Sequence, residues 1–99
     1  MKNLKGKQRS YLKSLAHDMD PVIQIGKAGL TDGVLDQLDD LLEARELIKI
    51  KVLNNCLEDQ NKILSVICDE LEAEFVQSIG NKMVIYRESS ENKKIKLPK

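Results

Sequence analysis

Residues 21–53 read PVIQIGKAGLTDGVLDQLDDLLEARELIKIKVL, and the apolar rhythm changes twice within them. Val22-Ile23-Gln24-Ile25 is a β-branched run that predicts a short strand. Gly26-Lys27-Ala28-Gly29 interrupts it. Thr31 then stands where a helix needs an acceptor for its first free N–H groups, and Asp32 suits the positive end of the helix dipole. Val34, Leu35, Leu38, Leu41 and Leu42 recur at three- and four-residue spacing, which predicts an amphipathic helix ending near Glu46. From Leu47 to Leu53 the rhythm becomes alternation: Ile48, Ile50 and Val52 face one way, Lys49 and Lys51 the other. A strand, a helix and a strand in this order call for a parallel pair joined by a right-handed crossover.

Working outward, Asp20-Pro21 ends a preceding helix, because the residue before proline is driven out of the helical region. That helix runs from about Lys5 to His17, with Leu4, Tyr11, Leu12 and Leu15 on one arc and Lys2, Lys5, Arg9 and Lys13 on another. Downstream, Ile63, Leu64, Ile67 and Leu71 mark a third helix over about Asp59–Glu72. Phe75–Ile79 and Met83–Tyr86 are two further strands, joined tightly through Gly80-Asn81. By the same crossover rule, the strands flanking the third helix are expected to pair in parallel. The order α-β-α-β-α-β-β gives an α/β (α+β) chain: one compact two-layer domain over residues 1–99, with a four-stranded mixed sheet. Residues 88–99 read as a basic tail.

Ninety-nine residues suffice for one such domain without disulfides. Hydrophobic residues are 41% and charged residues 32%, with sixteen bases and sixteen acids. A net charge of zero argues at first against a polyanion partner, but it conceals a partition. Residues 1–13 carry five bases and no acid, and residues 75–99 carry six bases against two acids. Residues 32–46 and 58–74 each carry six acids against one base. One basic face and one acidic face are therefore expected. Aromatic residues are only Tyr11, Phe75 and Tyr86, too few for a broad base-stacking platform.

Other chemistries find little support. No apolar run is long enough to span a membrane. The basic start, MKNLKGKQRS, lacks the apolar region of a secretory signal. Cys56 and Cys68 lie twelve residues apart, with His17 the only histidine, so no zinc site can be assembled and no metal or other cofactor is expected. The two cysteines read as small apolar fillers in a cytoplasmic protein. His17, beside Asp18 and Asp20 at a helix end, reads as a dipole partner and not a catalytic base. No nucleophile–base pair is visible, so the chain reads as a non-enzyme.

Gly26-Lys27-Ala28-Gly29 carries the most chemistry. Two glycines three apart let the chain turn and let a ligand approach, and the helix that follows offers free N–H groups to an anion. Gly-x-x-Gly loops of this kind clamp nucleic-acid backbone in KH domains, although the same spacing often serves only as a turn.

The run quoted at the outset, with KQRSYLKSLAH before it and VQSIGNKMVIYR and IKLP after it, resembles the YhbY family over about residues 4–98. This family is the stand-alone bacterial form of the CRM domain (chloroplast RNA splicing and ribosome maturation). The resemblance implies a fold similar to the C-terminal domain of initiation factor 3 and RNA binding on precursors of the large ribosomal subunit. It also implies RNA-binding roles for Gly26, Lys27, Ala28 and Gly29 in the loop, Lys49 and Lys51 on the strand, Arg87 at the last strand's end, and Lys5, Arg9 and Lys13 on the first helix. One departure is visible: Ala44-Arg45-Glu46 stands where a histidine-containing pair is common. The expected partner is ribosomal RNA, gripped by its phosphates, with nothing in the sequence demanding more than a monomer. The alternative is an adaptor whose acidic helices, 32–46 and 58–74, contact ribosomal proteins.

Overall fold

The computed structural model describes residues 4–91 and 93–98; Lys2 and Lys99, counted above among the bases, lie outside them. Three helices and four strands follow the expected order: α1 (Gly6–Ala16), β1 (Ile23–Ile25), α2 (Asp32–Arg45), β2 (Leu47–Val52), α3 (Gln60–Leu71), β3 (Glu74–Ile79) and β4 (Lys82–Tyr86). Thr31 caps α2 as expected, its hydroxyl oxygen accepting the Val34 N–H at 3.2 Å. Asp59 does the same for α3 through the Asn61 N–H at 3.3 Å.

The sheet runs β1-β2-β4-β3. β1 and β2 are parallel, with Ile23 opposite Ile50 and Ile25 opposite Val52. The expected parallel pair of β2 and β3 does not form. β4 enters between them, antiparallel to both, so β2 and β3 point the same way without touching. The tight Gly80-Asn81 turn, with Gly80 at φ 57°, folds β4 back onto β3, and its second edge is left for β2.

The two expected layers become three. Ile48, Ile50, Val52, Met83 and Ile85 meet Leu38 and Leu42 of α2 and Ile63 and Ile67 of α3 on one face of the sheet. On the other face Leu47, Val76, Val84 and Tyr86 meet Leu12 and Ala16 of α1. Alternation along β2 and β4 forces this, since each sends every second residue to each face. Ile48, Ile50 and Ile85 have no solvent exposure, and cutting any of them to alanine removes about 2–5 kcal/mol.

The C-terminal segment is tied down by two acids. Glu46 caps α2 at φ 67°, a backbone region that side chains rarely occupy, and is fully buried. Its carboxylate accepts the backbone N–H groups of Ser89 at 2.8 Å, Lys94 at 2.5 Å and Ile95 at 2.8 Å. Glu43, one turn earlier, accepts the Ser89 hydroxyl at 2.7 Å and the hydroxyl and N–H of Ser90. Ile95 and Leu97 pack beside α1, and Gln8 donates to the Pro98 carbonyl at 3.1 Å. The tail therefore lies on the α1 side of the sheet and brings Lys93, Lys94 and Lys96 with it.

Candidate nucleic-acid interface

The Gly-x-x-Gly loop leaves the C-terminal end of β1. The Gly29 N–H donates to the Gly26 carbonyl at 2.9 Å, closing a turn that presents Lys27 and Ala28 to solvent. The two glycines are not equivalent. A Cβ on Gly26 would make ordinary contacts, 3.4 Å to Leu53 Cδ1 and 3.5 Å to Asn55 Oδ1. Gly29 sits at φ 70°, and a Cβ there would stand 1.6 Å from Glu58 Oε1. Gly29 requires glycine for its backbone conformation, and a Cβ there would also push the Glu58 carboxylate aside. The Glu58 carboxylate in turn accepts the Leu30 N–H at 2.7 Å.

Lys49 and Lys51 leave β2 on the face that α1 covers in part. α1 packs over the Leu47, Val84 and Tyr86 end and leaves the opposite end, next to the loop, open. There the register sets Gln24, Lys51 and Lys82 side by side across β1, β2 and β4. Lys51 and Lys82 are cross-strand partners of like charge, an arrangement that repels unless an anion lies over it. Among the described residues, the ion pairs are Arg87–Asp39 and Lys93–Glu88, and none involves Lys27, Lys49, Lys51 or Lys82.

The remaining expected residues divide. Lys5 and Lys13 are exposed on α1, over the same face of the sheet. Arg9 is partly committed, its Nε donating to the Phe75 carbonyl at 3.2 Å and pinning α1 to the start of β3. Lys5 lies at the end of the sheet where β4 finishes, away from the loop. A groove there also holds Glu72, Glu74 and Glu88, so Lys5 stands at the margin of the basic surface. Arg87 does not join the set. It points to the α2/α3 face, where Nη1 meets Asp39 Oδ1 at 2.6 Å and the Leu71 carbonyl at 3.1 Å, and Nη2 meets the Asp39 carbonyl at 3.0 Å. This guanidinium ties the sheet to both acidic helices. Alternation along β4 dictates it: Lys82, Val84 and Tyr86 face α1, whereas Met83, Ile85 and Arg87 face the other way.

Lys82, Gln24 and Glu58 were not legible as site residues in the sequence. Lys82 could have been found only by knowing that β4 pairs with β2. The charge partition does become spatial, with α1, the lysines of the sheet and the tail on one side and the acids of α2 and α3 on the other. The exposed acids of α2 (Asp36, Asp40) and of α3 (Asp69, Glu70) make that second side negative.

Among the described residues, no cluster of His, Cys, Asp and Glu could hold a metal ion, and no helix is long and apolar enough to cross a membrane. Cys56 and Cys68 are free thiols packed against the α2/α3 core. Burial, aided by Glu74 and Asp69, pushes the Cys68 thiol up to about 11, so it is a filler and not a nucleophile at neutral pH. His17 is an exposed helix cap whose N–H donates to the Lys13 carbonyl at 3.1 Å.

The chain is similar to known proteins over nearly its whole length. A Bacillus subtilis protein named "Probable RNA-binding protein YqeI" is 47% identical over 95 residues, covering 96% of this chain and 99% of that one. A Haemophilus influenzae protein named "RNA-binding protein" is 43% identical over 99 residues, covering 100% of this chain and 99% of that one. The solution structure of SAV1595 from Staphylococcus aureus, described as a candidate RNA-binding protein, superposes with a TM-score of 0.79 at 50% identity, covering 96% of this chain and 99% of that one. The profile of the CRS1 / YhbY (CRM) domain matches residues 4–87, and the chain belongs to that family.

Proposed function

We propose that this protein binds structured ribosomal RNA on precursors of the large subunit, in the cytoplasm and as a monomer, and does so as a binding module, not an enzyme. Its relatives are named RNA-binding proteins, which supports the partner class. The observation that carries the reading is the Gln24–Lys51–Lys82 row beside the Gly-x-x-Gly loop, where like charges stand opposite each other with no acidic partner among the described residues. Lys27, Lys49, Lys51 and Lys82 neutralise phosphates near the loop, with Lys5 and Lys13 extending the surface along α1. Scarce aromatic residues make the readout one of backbone and shape. The acidic outer faces of α2 and α3 keep the polyanion off the opposite side.

The test is a filter-binding titration against a structured fragment of large-subunit ribosomal RNA at several salt concentrations. With about six phosphate contacts, affinity falls about a thousandfold between 50 and 200 mM salt. A flat salt dependence overturns the reading.

A further inference from the structure

The anion site of the Gly-x-x-Gly loop is already filled, by the protein itself. Glu58 lies in the segment joining β2 to α3, and its carboxylate occupies the space that Gly29 leaves by having no side chain. There it takes the Leu30 N–H at 2.7 Å, a donor that a phosphate on this loop would also use. Among the described residues Glu58 makes no ion pair, although lysines are plentiful on this side of the molecule. The segment around it is folded over the loop: Leu53 and Asn55 stand against Gly26, and the Cys56 N–H closes on the Leu53 carbonyl at 3.0 Å. Leu57, the neighbour of Glu58, is 87% exposed, so its side chain contributes no apolar anchor. The Leu53 N–H fastens the base of this segment to the Ile25 carbonyl at 2.8 Å, and the Glu58 carboxylate is its contact with the Leu30 end of the loop.

We propose that Glu58 is an internal phosphate mimic that closes the Gly-x-x-Gly loop in the free protein and is displaced by a backbone phosphate of RNA. The proposal rests on the RNA-binding reading above and assigns a gate to that same surface. A carboxylate and a phosphodiester present similar anionic oxygens to the same amide, so the exchange leaves no donor unsatisfied in either state. A lone phosphate must expel Glu58 with little else to gain. An RNA strand that also lies across Lys49, Lys51 and Lys82 gains those contacts together with the loop. The device makes the loop respond to a polyanionic backbone in preference to free phosphate.

The full chain with Glu58→Gln and Glu58→Ala provides the test, read by affinity for the same ribosomal RNA fragment and by the Leu30 amide signal during titration with inorganic phosphate. Glutamine keeps an acceptor for Leu30 while removing the charge, so the fold is preserved even if alanine loosens the loop. Both variants are expected to bind RNA about three- to tenfold more tightly at low salt. Their Leu30 amide is expected to move with inorganic phosphate at concentrations that leave the wild-type signal still. Equal or weaker RNA binding by Glu58→Gln, while Lys51→Glu still loses affinity, overturns the gate and makes Glu58 a brace of the loop. Normal RNA binding by both Lys27→Glu and Lys51→Glu overturns the RNA surface itself, and the gate with it.

Discussion

Helix α2 meets a glutamate carboxylate at each end, and the two carboxylates do opposite things. At the C-terminal end Glu46 is sealed, taking three backbone N–H groups in a site without solvent. At the N-terminal end Glu58 takes one N–H, at the surface, on a loop with lysine at its tip. The chemistry of each bond is the same. Burial makes the first a permanent fastening, because releasing it leaves a fully buried carboxylate without its three donors, whereas at the second, water or another anion can take over. The cations divide in the same way. Arg87 is spent on Asp39 and the Leu71 carbonyl, while Lys51 lies between Gln24 and another lysine.

The sharpest way to break this comparison is at Glu46. Glu46→Ala is expected to lose about 3 kcal/mol in urea unfolding, since it removes the one acceptor shared by the Ser89, Lys94 and Ile95 N–H groups. Glu46→Gly should be milder by about 1 kcal/mol, because glycine accepts the positive φ without strain. If the two variants lose equal stability, the backbone at φ 67° carries no strain.

Next in size is Arg87→Ala, expected to cost about 2 kcal/mol of stability through the loss of charge-assisted bonds to Asp39 and Leu71, with RNA affinity changed less than twofold. A large loss of RNA affinity in a folded Arg87→Ala protein would return this residue to the binding surface. Lys51→Glu should do the reverse: affinity for ribosomal RNA falls about tenfold, equivalent to about 1.4 kcal/mol, and the salt slope shrinks by about one contact. Its melting temperature should hold or rise, because Lys82 gains an opposite partner in place of a like one.

The smallest effect is read by pH at the C-terminal end of α2. Burial alone would raise the Glu46 carboxyl, but the N–H groups of Ser89, Lys94 and Ile95, helped by Lys93, outweigh it and hold the group below the usual 4.5. Glu43 is held low as well, by the Ser90 and Ser89 hydroxyls and the Ser90 N–H. A carboxyl lowered on folding stabilises above its unfolded value, and that contribution fades as pH falls through the folded one. The tail should therefore stay fastened at neutral pH and loosen only below about pH 4, seen as exchange broadening of the Ile95 amide. Loosening near neutral pH would contradict the assignment.

Element order and type were legible because each element carries its own local signal: β-branched residues in β1, the Thr31 cap, the three–four spacing of α2, alternation in β2. What could not be read was pairing across distance. The placement of β4 between β2 and β3, the third layer and the Lys51–Lys82 partnership all follow from one non-local choice, and no local pattern encodes it. The face on which Arg87 stands was hidden for a related reason. Its charge was visible, but its face depends on the parity of β4 relative to a core that only the assembled sheet defines. Glu46 and Glu58 were hidden more deeply. Each looked like one more acid in an acidic helix or loop, and what matters about each is the backbone N–H it meets between 28 and 49 residues away in the chain. The loop itself was legible as a motif, though not the fact that Gly29 alone demands glycine.

The central position of β4 also fixes an order of assembly. Residues 82–86 supply the only strand that touches both β2 and β3. A growing chain that stops before residue 82 can pair β1 with β2 and set α2 against them, but it has no partner for either remaining strand edge. Both hydrophobic clusters draw on β4, through Met83 and Ile85 on one face and Val84 and Tyr86 on the other. Folding therefore cannot be completed progressively from the N-terminus: it must wait for the last strand to arrive and then close in one cooperative step.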